Sequence, residues 1–333
     1  MRCIISILLY LNFCAAGYSQ IIRGVILDHY TDIPVNFASV YINGTFVGTH
    51  SDKNGHFELD ISNINLMPIT ISSLGYYSFT LNDYSPDKLY KVYLEPKIFE
   101  LKEVVISAKA YAKGRKAKLK QFRDEFLGTT FNALMCKISN EDEITLTYSS
   151  DNDTLKAYSS NPVLIENKAL GYKISYYLDK FECCKRDNYF VLSGNLIFTE
   201  DFTTRESQKE RYERRRETAY LGSRMHFFRE LWENRLDSAG YIVKDSANEQ
   251  LNYDDIVSET DNIVKGDRAK YLMNHGHLFV YYFSKSGGSI IVFNNDSIYF
   301  DKNGYFDGLG ILWDGEMIKQ RIADWLPFEY SVR

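Results

Sequence analysis

Apolar and polar residues alternate with a period of two through most of residues 21–95, the spacing of strands that bury one face. Val25 and Leu27 share a face of the first run, and Ala38, Val40 and Ile42 share a face of the next. Phe57, Leu59 and Ile61 alternate with His56, Glu58 and Asp60, and the pattern returns in Ile69 and Ile71 and in Tyr90, Val92 and Leu94. Asn43-Gly44 and Asn54-Gly55 punctuate these runs, because Asn and Gly tolerate the positive φ of a tight turn. Pro34, which has no N–H to give a ladder, suits a strand entry or an edge. Short strands at this spacing, with no helical stretch between them, predict a β-sandwich.

The pattern changes further along. Ile144–Tyr148, Tyr172–Glu182 and Tyr189–Phe198 read as strands, and Ile298–Phe306 as a hairpin. Residues 206–236 read as one long helix, or two helices broken near Gly222. Leu221, Met225, Phe228 and Trp232 make its apolar stripe, widened by Tyr220, Phe227 and Leu231, with Arg215, His226, Arg229 and Glu233 opposite. Between the two regions, residues 109–123 hold five Lys, two Arg and no acidic residue. Leu119 and Phe122 add a weak apolar stripe, so this segment reads as a basic linker turning into a helix. Its charge is also a route to peripheral membrane contact through anionic head groups.

Ahead of the sandwich, Met1-Arg2 precedes an apolar run, Ile4–Phe13, that is too short for the roughly 20 residues of a membrane span. Gly17 and Ser19 place small residues where a signal peptidase reads, so cleavage is expected between Ser19 and Gln20. Lipidation at Cys14 is the competing reading, disfavoured by the bulk of Phe13. The expected class is mixed: a leader over 1–19, an all-β transthyretin-like or Ig-like sandwich over 20–108, a basic linker or helix over 109–123 and an α+β domain over 124–333. The expected address is export, to the periplasm or to the outer membrane and cell surface.

The 333 residues are 45% hydrophobic and 25% charged, as in an ordinary folded chain of two domains. A net charge of −5 argues against a nucleic-acid partner. Aromatics reach 15%, which suits pleated surfaces and also supplies flat contact area for sugars or peptides. Beyond the leader the cysteines are Cys136, Cys183 and Cys184. Neighbouring cysteines bridge each other poorly, so the choice lies between one disulfide from Cys136 to Cys183 or Cys184 and buried thiols.

Several strings carry a resemblance. Gly24-Val25-Ile26, Pro34-Val35, Phe37-Ala38-Ser39-Val40, Gly48-Thr49, Ser51-Asp52, Asn54-Gly55, Phe57, Ile71-Ser72-Ser73-Leu74-Gly75-Tyr76 and Leu101–Ala108 fall in the order of the carboxypeptidase-regulatory-like domain. This transthyretin-like module is common on exported proteins of Bacteroidetes and precedes many TonB-dependent receptors. The resemblance implies an accessory sandwich without peptidase activity. Phe126–Ile138, Leu170–Tyr176, Arg216–Arg229 and Arg321–Tyr330 resemble the region that follows this module in many Bacteroidetes proteins, which implies kinship and no activity.

None of the six histidines begins an HxxE pair, and HExxH, GxSxG, a phosphate loop and a dinucleotide fingerprint are absent from the sequence. His275-Gly276-His277 has no obvious carboxylate partner, so no metal, cofactor or catalytic residue is assigned. The candidates for a polar binding site are Arg215, Arg216, Tyr220, Ser223 and His226; a network holding helix to sheet explains the same residues. Three functions follow: a non-catalytic envelope protein binding a glycan, peptide or outer-membrane protein partner; an accessory of TonB-dependent uptake; and an enzyme of unfamiliar type using this cluster with Asp324 and Glu329.

Overall fold

The computed structural model describes residues 20–62, 67–97, 108–149, 153–184, 186, 187, 189–201, 205–261, 268–283, 285–308 and 310–332. The leader, with Ser19, and the 101–107 part of the family resemblance lie outside the described residues.

Seven short strands build the sandwich: β1 Ile21–Asp28, β2 Ser39–Ile42, β3 Gly48–His50, β4 His56–Asp60, β5 Ile69–Ser72, β6 Phe79–Leu81 and β7 Leu89–Leu94. One sheet runs β4-β1-β7 and the other β3-β2-β5-β6. Their facing side chains, among them Ile22, Ile26, Val40, Phe57, Ile71 and Val92, form one buried cluster. Each contributes about 1.5–3 kcal/mol by leaving water. The expected inward face of β1 is corrected by one residue. Ile22, Gly24 and Ile26 point inward, whereas Val25 is half-buried and Leu27 lies outside the cluster. Apolar residues occupy both faces of this strand, so alternation alone could not choose between them. Gly24 decides it, because a Cβ there would stand 2.6 Å from the Phe57 ring.

The basic segment is helical. α1 spans Ala108–Phe126 and buries Phe122 and Phe126, stacked at 4.8 Å, against the next sheet. Arg115 donates to the carbonyls of Glu141 and Ile144, and Arg123 pairs with Glu141, so both of its arginines tie the helix to the following loop.

After the short helix α2 (Phe131–Leu134) come β8 Cys136–Ile138, β9 Thr145–Ser149, β10 Thr154–Tyr158, β11 Val163–Asn167, β12 Tyr172–Cys184 and β13 Tyr189–Glu200. They form a sheet ordered β8-β11-β12-β10-β9, with β13 on the other side of β12. Of the two readings left open for the cysteines, the register excludes the disulfide, and Cys136, Cys183 and Cys184 are thiols. Cys136 stands opposite Asn167, which stands opposite Tyr172. Cys183 lies eleven positions along β12 from Tyr172, a span of roughly 36 Å in a strand, against less than about 7 Å between bridged Cα atoms.

α3 (Glu206–Tyr220) and α4 (Arg224–Trp232) meet at a corner with Gly222 at φ +75°, so the break near Gly222 is where the sequence put it. Beyond lie β14 Tyr241–Lys244, α5 Tyr253–Ile256, β15 Val257–Asp261, β16 Arg268–Met273, β17 His277–Tyr282, β18 Gly288–Phe293, β19 Ser297–Phe300 and β20 Ile311–Gly315. Their sheets are β14-β17-β18-β20 and β15-β16-β19. Residues 124–333, expected as one α+β unit, hold two hydrophobic clusters. One centres on β12 and α1, the other on α4 and the last two sheets, and Leu221 packs against both.

The sandwich is joined to the rest through backbone as well as side chains. Thr45 forms a parallel bridge with Ile197 of β13, Gly44 N–H donates to Leu196 O, and Phe198 N–H donates to Thr45 O. Tyr41 is fully buried outside the sandwich cluster, where it stacks on Tyr177 at 5.1 Å.

Candidate functional site

The predicted residues gather around the α3–α4 corner, whose chemistry is local. Gly222 takes the left-handed backbone that ends α3. Ser223 caps α4, accepting from His226 N–H at 3.0 Å. The His226 ring turns back into the corner. Its Nδ1 lies 3.1 Å from Gly222 N–H and 2.9 Å from the Tyr241 hydroxyl. Nδ1 is therefore an acceptor, and the neutral ring carries its proton on Nε2, 3.9 Å from Glu230.

Burial, with the nearby charge of Arg229, pulls the His226 pKa down to about 4. The rings of Tyr220, Tyr241 and Tyr282 wall it at 4.9, 5.2 and 5.6 Å. The sequence had placed His226 on the polar face opposite the apolar stripe; the structure buries it. Helical periodicity locates a face but does not reveal that a second element, here β14 and β17, covers it.

Arg215 and Arg216 face elsewhere. Arg216 is buried, with Nε donating to Leu170 O at 2.8 Å and the two terminal nitrogens reaching Glu213 and Glu200. Its guanidinium lies 4.1 Å over the Tyr172 ring. Arg215 contacts Ala169 O at 3.4 Å and covers Phe131. Both arginines pin α3 to the turn before β12. The five candidates thus divide into a capped corner (Tyr220, Ser223, His226) and a helix-to-sheet anchor (Arg215, Arg216). Each has internal partners.

The two acids proposed for an enzyme are apart as well. Asp324 accepts from Thr130 Oγ1 at 3.0 Å and Asn132 Nδ2 at 2.8 Å, and burial raises its pKa despite those bonds. Glu329 accepts from Phe46 N–H at 2.8 Å, at the sandwich joint. Burial lifts the Cys136 thiol to about 12, which keeps it protonated and a poor nucleophile. His275 Nε2 donates to Asp255 O and His277 is exposed. Among the described residues no three His, Cys, Asp or Glu converge as a metal-ligand set. Nor is any helix there long and apolar enough to cross a membrane.

Arg229 escaped the sequence reading as a site residue. Its guanidinium donates to Asn303 O, Tyr330 O and Phe328 O at 2.9, 2.7 and 3.1 Å, so one side chain holds the turn after β19 and the C-terminal tail against α4. Only the fold brings those carbonyls together. Beside it opens a cleft of about 460 Å³ lined by Thr45, Tyr220, Glu230, Arg235, Lys302 and Phe328. A second hollow of about 480 Å³ lies between the end of α1 and β8. Neither is lined by His226 or Arg216.

The outer face of the β14-β17-β18-β20 sheet differs from both hollows in setting apolar side chains in rows among Lys244, His277 and Asp314. Ile242 stands opposite Tyr281, Phe279 opposite Ile290, and Val292 opposite Leu312. Tyr281 is 42% and Leu312 57% exposed, with Phe283 beyond the strand end at 78%.

No curated protein matches the chain. Among solved structures, a 9R-lipoxygenase from Cyanothece PCC8801 aligns at 11% identity and a TM-score of 0.19, over 64% of this chain and 48% of that one, a likeness too slight to carry fold or chemistry across. Residues 22–106 match the CarboxypepD_reg-like domain, the stretch in which the two facing sheets were found. The N-terminal sandwich is therefore a carboxypeptidase-regulatory-like domain.

Proposed function

We propose that this is an exported, non-catalytic envelope protein that binds a glycan or peptide. The observation that carries the reading is the outer face of the β14-β17-β18-β20 sheet. Its inner face is a core packed on α4, while the outer one sets Phe279 and Tyr281 on neighbouring rows among Ile242, Ile290 and Leu312. Rings held flat by a sheet lose little entropy on contact, and Tyr adds a polar tip for a hydroxyl or an amide. Arg216, Ser223 and His226 support the same reading from the other side, since each is hydrogen-bonded inside the fold.

The test is a glycan and peptide array probed with the chain from Gln20. Tyr281→Ala and Phe279→Ala should each weaken any hit by about two- to tenfold, the worth of one aromatic contact. Arg216→Ala should act on stability instead. An array without hits, or hits indifferent to both ring deletions, would refute the assignment.

A further inference from the structure

Two glycines make room for rings on the outer face of the β14-β17-β18-β20 sheet. Tyr281 stands opposite Gly288, and Phe283 N–H donates to Gly240 O. A Cβ on Gly288 would lie 2.8 Å from Tyr281 Cε1 and 3.1 Å from its Cδ1, and one on Gly240 would overlap the Phe283 ring. Each ring therefore leans off its own strand, Tyr281 over β18 and Phe283 toward the start of β14. Both stay open to water, at 42% and 78% exposure. Gly240, at φ +86°, has a backbone reason to be glycine, whereas Gly288 has no left-handed φ. Glycine inside a strand forgoes a packing side chain, and the close approach of a neighbouring group accounts for it. At Gly288 that group is the Tyr281 ring.

The surroundings choose between the two ligand classes of the proposed function. β17 and β18 are each paired on both edges, so the strands beneath the rings offer no free ladder for a peptide to join. Neither hollow is lined by a residue of this face, so neither receives a peptide side chain there. The ionic side chains in its rows, Lys244 and Asp314, are of opposite sign, which matches an uncharged ligand better than an acidic or a basic one. A pyranose ring presents C–H bonds on one face and hydroxyls around its rim. The negative face of an aromatic ring attracts those C–H bonds, and Lys244, His277 and Asp314 stand within the rows to meet hydroxyls.

Resting on the aromatic face as the binding site, we propose that its ligand is an uncharged pyranose glycan and that Gly288 is a specificity-determining residue, because it lets Tyr281 lean across the sheet.

Isothermal titration calorimetry on the full chain tests this with cellohexaose, maltohexaose, mannohexaose and N-acetylchitohexaose, and with hexagalacturonate as the acidic counterpart. At least one neutral hexasaccharide should bind saturably, and hexagalacturonate should not. Gly288→Ala keeps every ring but lifts Tyr281 from the sheet, and Phe283→Leu removes a ring while keeping apolar bulk. Each should weaken binding by about two- to tenfold. Gly288→Ala combined with Tyr281→Ala should bind no more weakly than Tyr281→Ala alone, since the glycine acts through that ring. Gly114→Ala on α1, where a Cβ meets nothing, should leave binding unchanged. Circular dichroism verifies folding throughout. Silence from every neutral hexasaccharide, or binding indifferent to Gly288→Ala, overturns the proposal. Array hits on peptides that depend on Tyr281 would overturn it as well, while leaving the aromatic face standing as the binding site.

Discussion

Asn43-Gly44 and Asn54-Gly55 are the same dipeptide in the same backbone, with glycine φ values of +77° and +78°, yet the fold uses them differently. The second is a turn within the sandwich. Asp52 accepts from the N–H groups of Asn54 and His56, and the loop faces water. The first is clasped from two sides. Asn43 Oδ1 accepts from Leu196 N–H, Gly44 N–H donates to Leu196 O, and Gly44 O accepts from Phe328 N–H. Turn chemistry is a local property, and docking is not.

Removing the buried contact beside the docked turn should have the largest effect. Tyr41→Ala should cost about 3–5 kcal/mol, measured by denaturant unfolding, because the ring lies sealed against Tyr177. A loss under 1 kcal/mol would mean that the joint contributes little.

Alanine at either turn glycine loses about 1–2 kcal/mol to left-handed backbone, so stability alone will not separate them. Hydrogen exchange should. A Cβ on Gly44 would lie 2.6 Å from the Phe328 ring, whereas one on Gly55 would meet Ile26 O and Pro34 inside the sandwich. Gly44→Ala is therefore expected to speed exchange at Phe198 and Phe328, and Gly55→Ala to leave both amides protected. Equal exchange in the two variants would erase the distinction. Asn43→Ala removes one bond to β13 and should cost about 1 kcal/mol.

Acid should act on the two turns in opposite directions, with the smallest effect. Backbone hydrogen bonds, chiefly from His56, hold the Asp52 carboxyl below its usual range. Its stabilising contribution is present above the unfolded pKa and is lost as pH falls through the folded one. Burial raises that of Glu329, against the Phe46 hydrogen bond. Its folded state prefers the neutral acid, so this contribution is present at low pH and is lost as pH rises through the raised pKa. Stability profiles from pH 3 to 7 should flatten at the acid end in Asp52→Asn and lose their fall toward neutral pH in Glu329→Gln. Profiles that shift in the same sense in both variants would contradict this assignment.

Much of the sandwich was legible because its signals are short-ranged. Alternation named Val40, Ile42, Phe57, Leu59, Val92 and Leu94 as interior, and they are. It misjudged β1, where both faces are apolar and only the Phe57 ring over Gly24 shows which turns inward. The helix break at Gly222 was equally local. The candidate site was legible only in part: Ser223 and His226 do come together, through a cap three residues long. What seals His226 is Tyr241 and Tyr282, from strands that periodicity on α4 cannot see.

From its order of residues alone this chain determines where strands alternate, where glycine lets the backbone reverse, where a helix is capped, and that the sandwich belongs to the carboxypeptidase-regulatory-like type. These depend on interactions between residues a few positions apart. Tertiary structure alone decided that Cys136 stands far from Cys183, that one Asn-Gly turn is docked and its twin is not, and that Arg229 of α4 reaches the carbonyls of Asn303, Phe328 and Tyr330. Each of these joins residues tens to hundreds of positions apart, and only packing sets such distances.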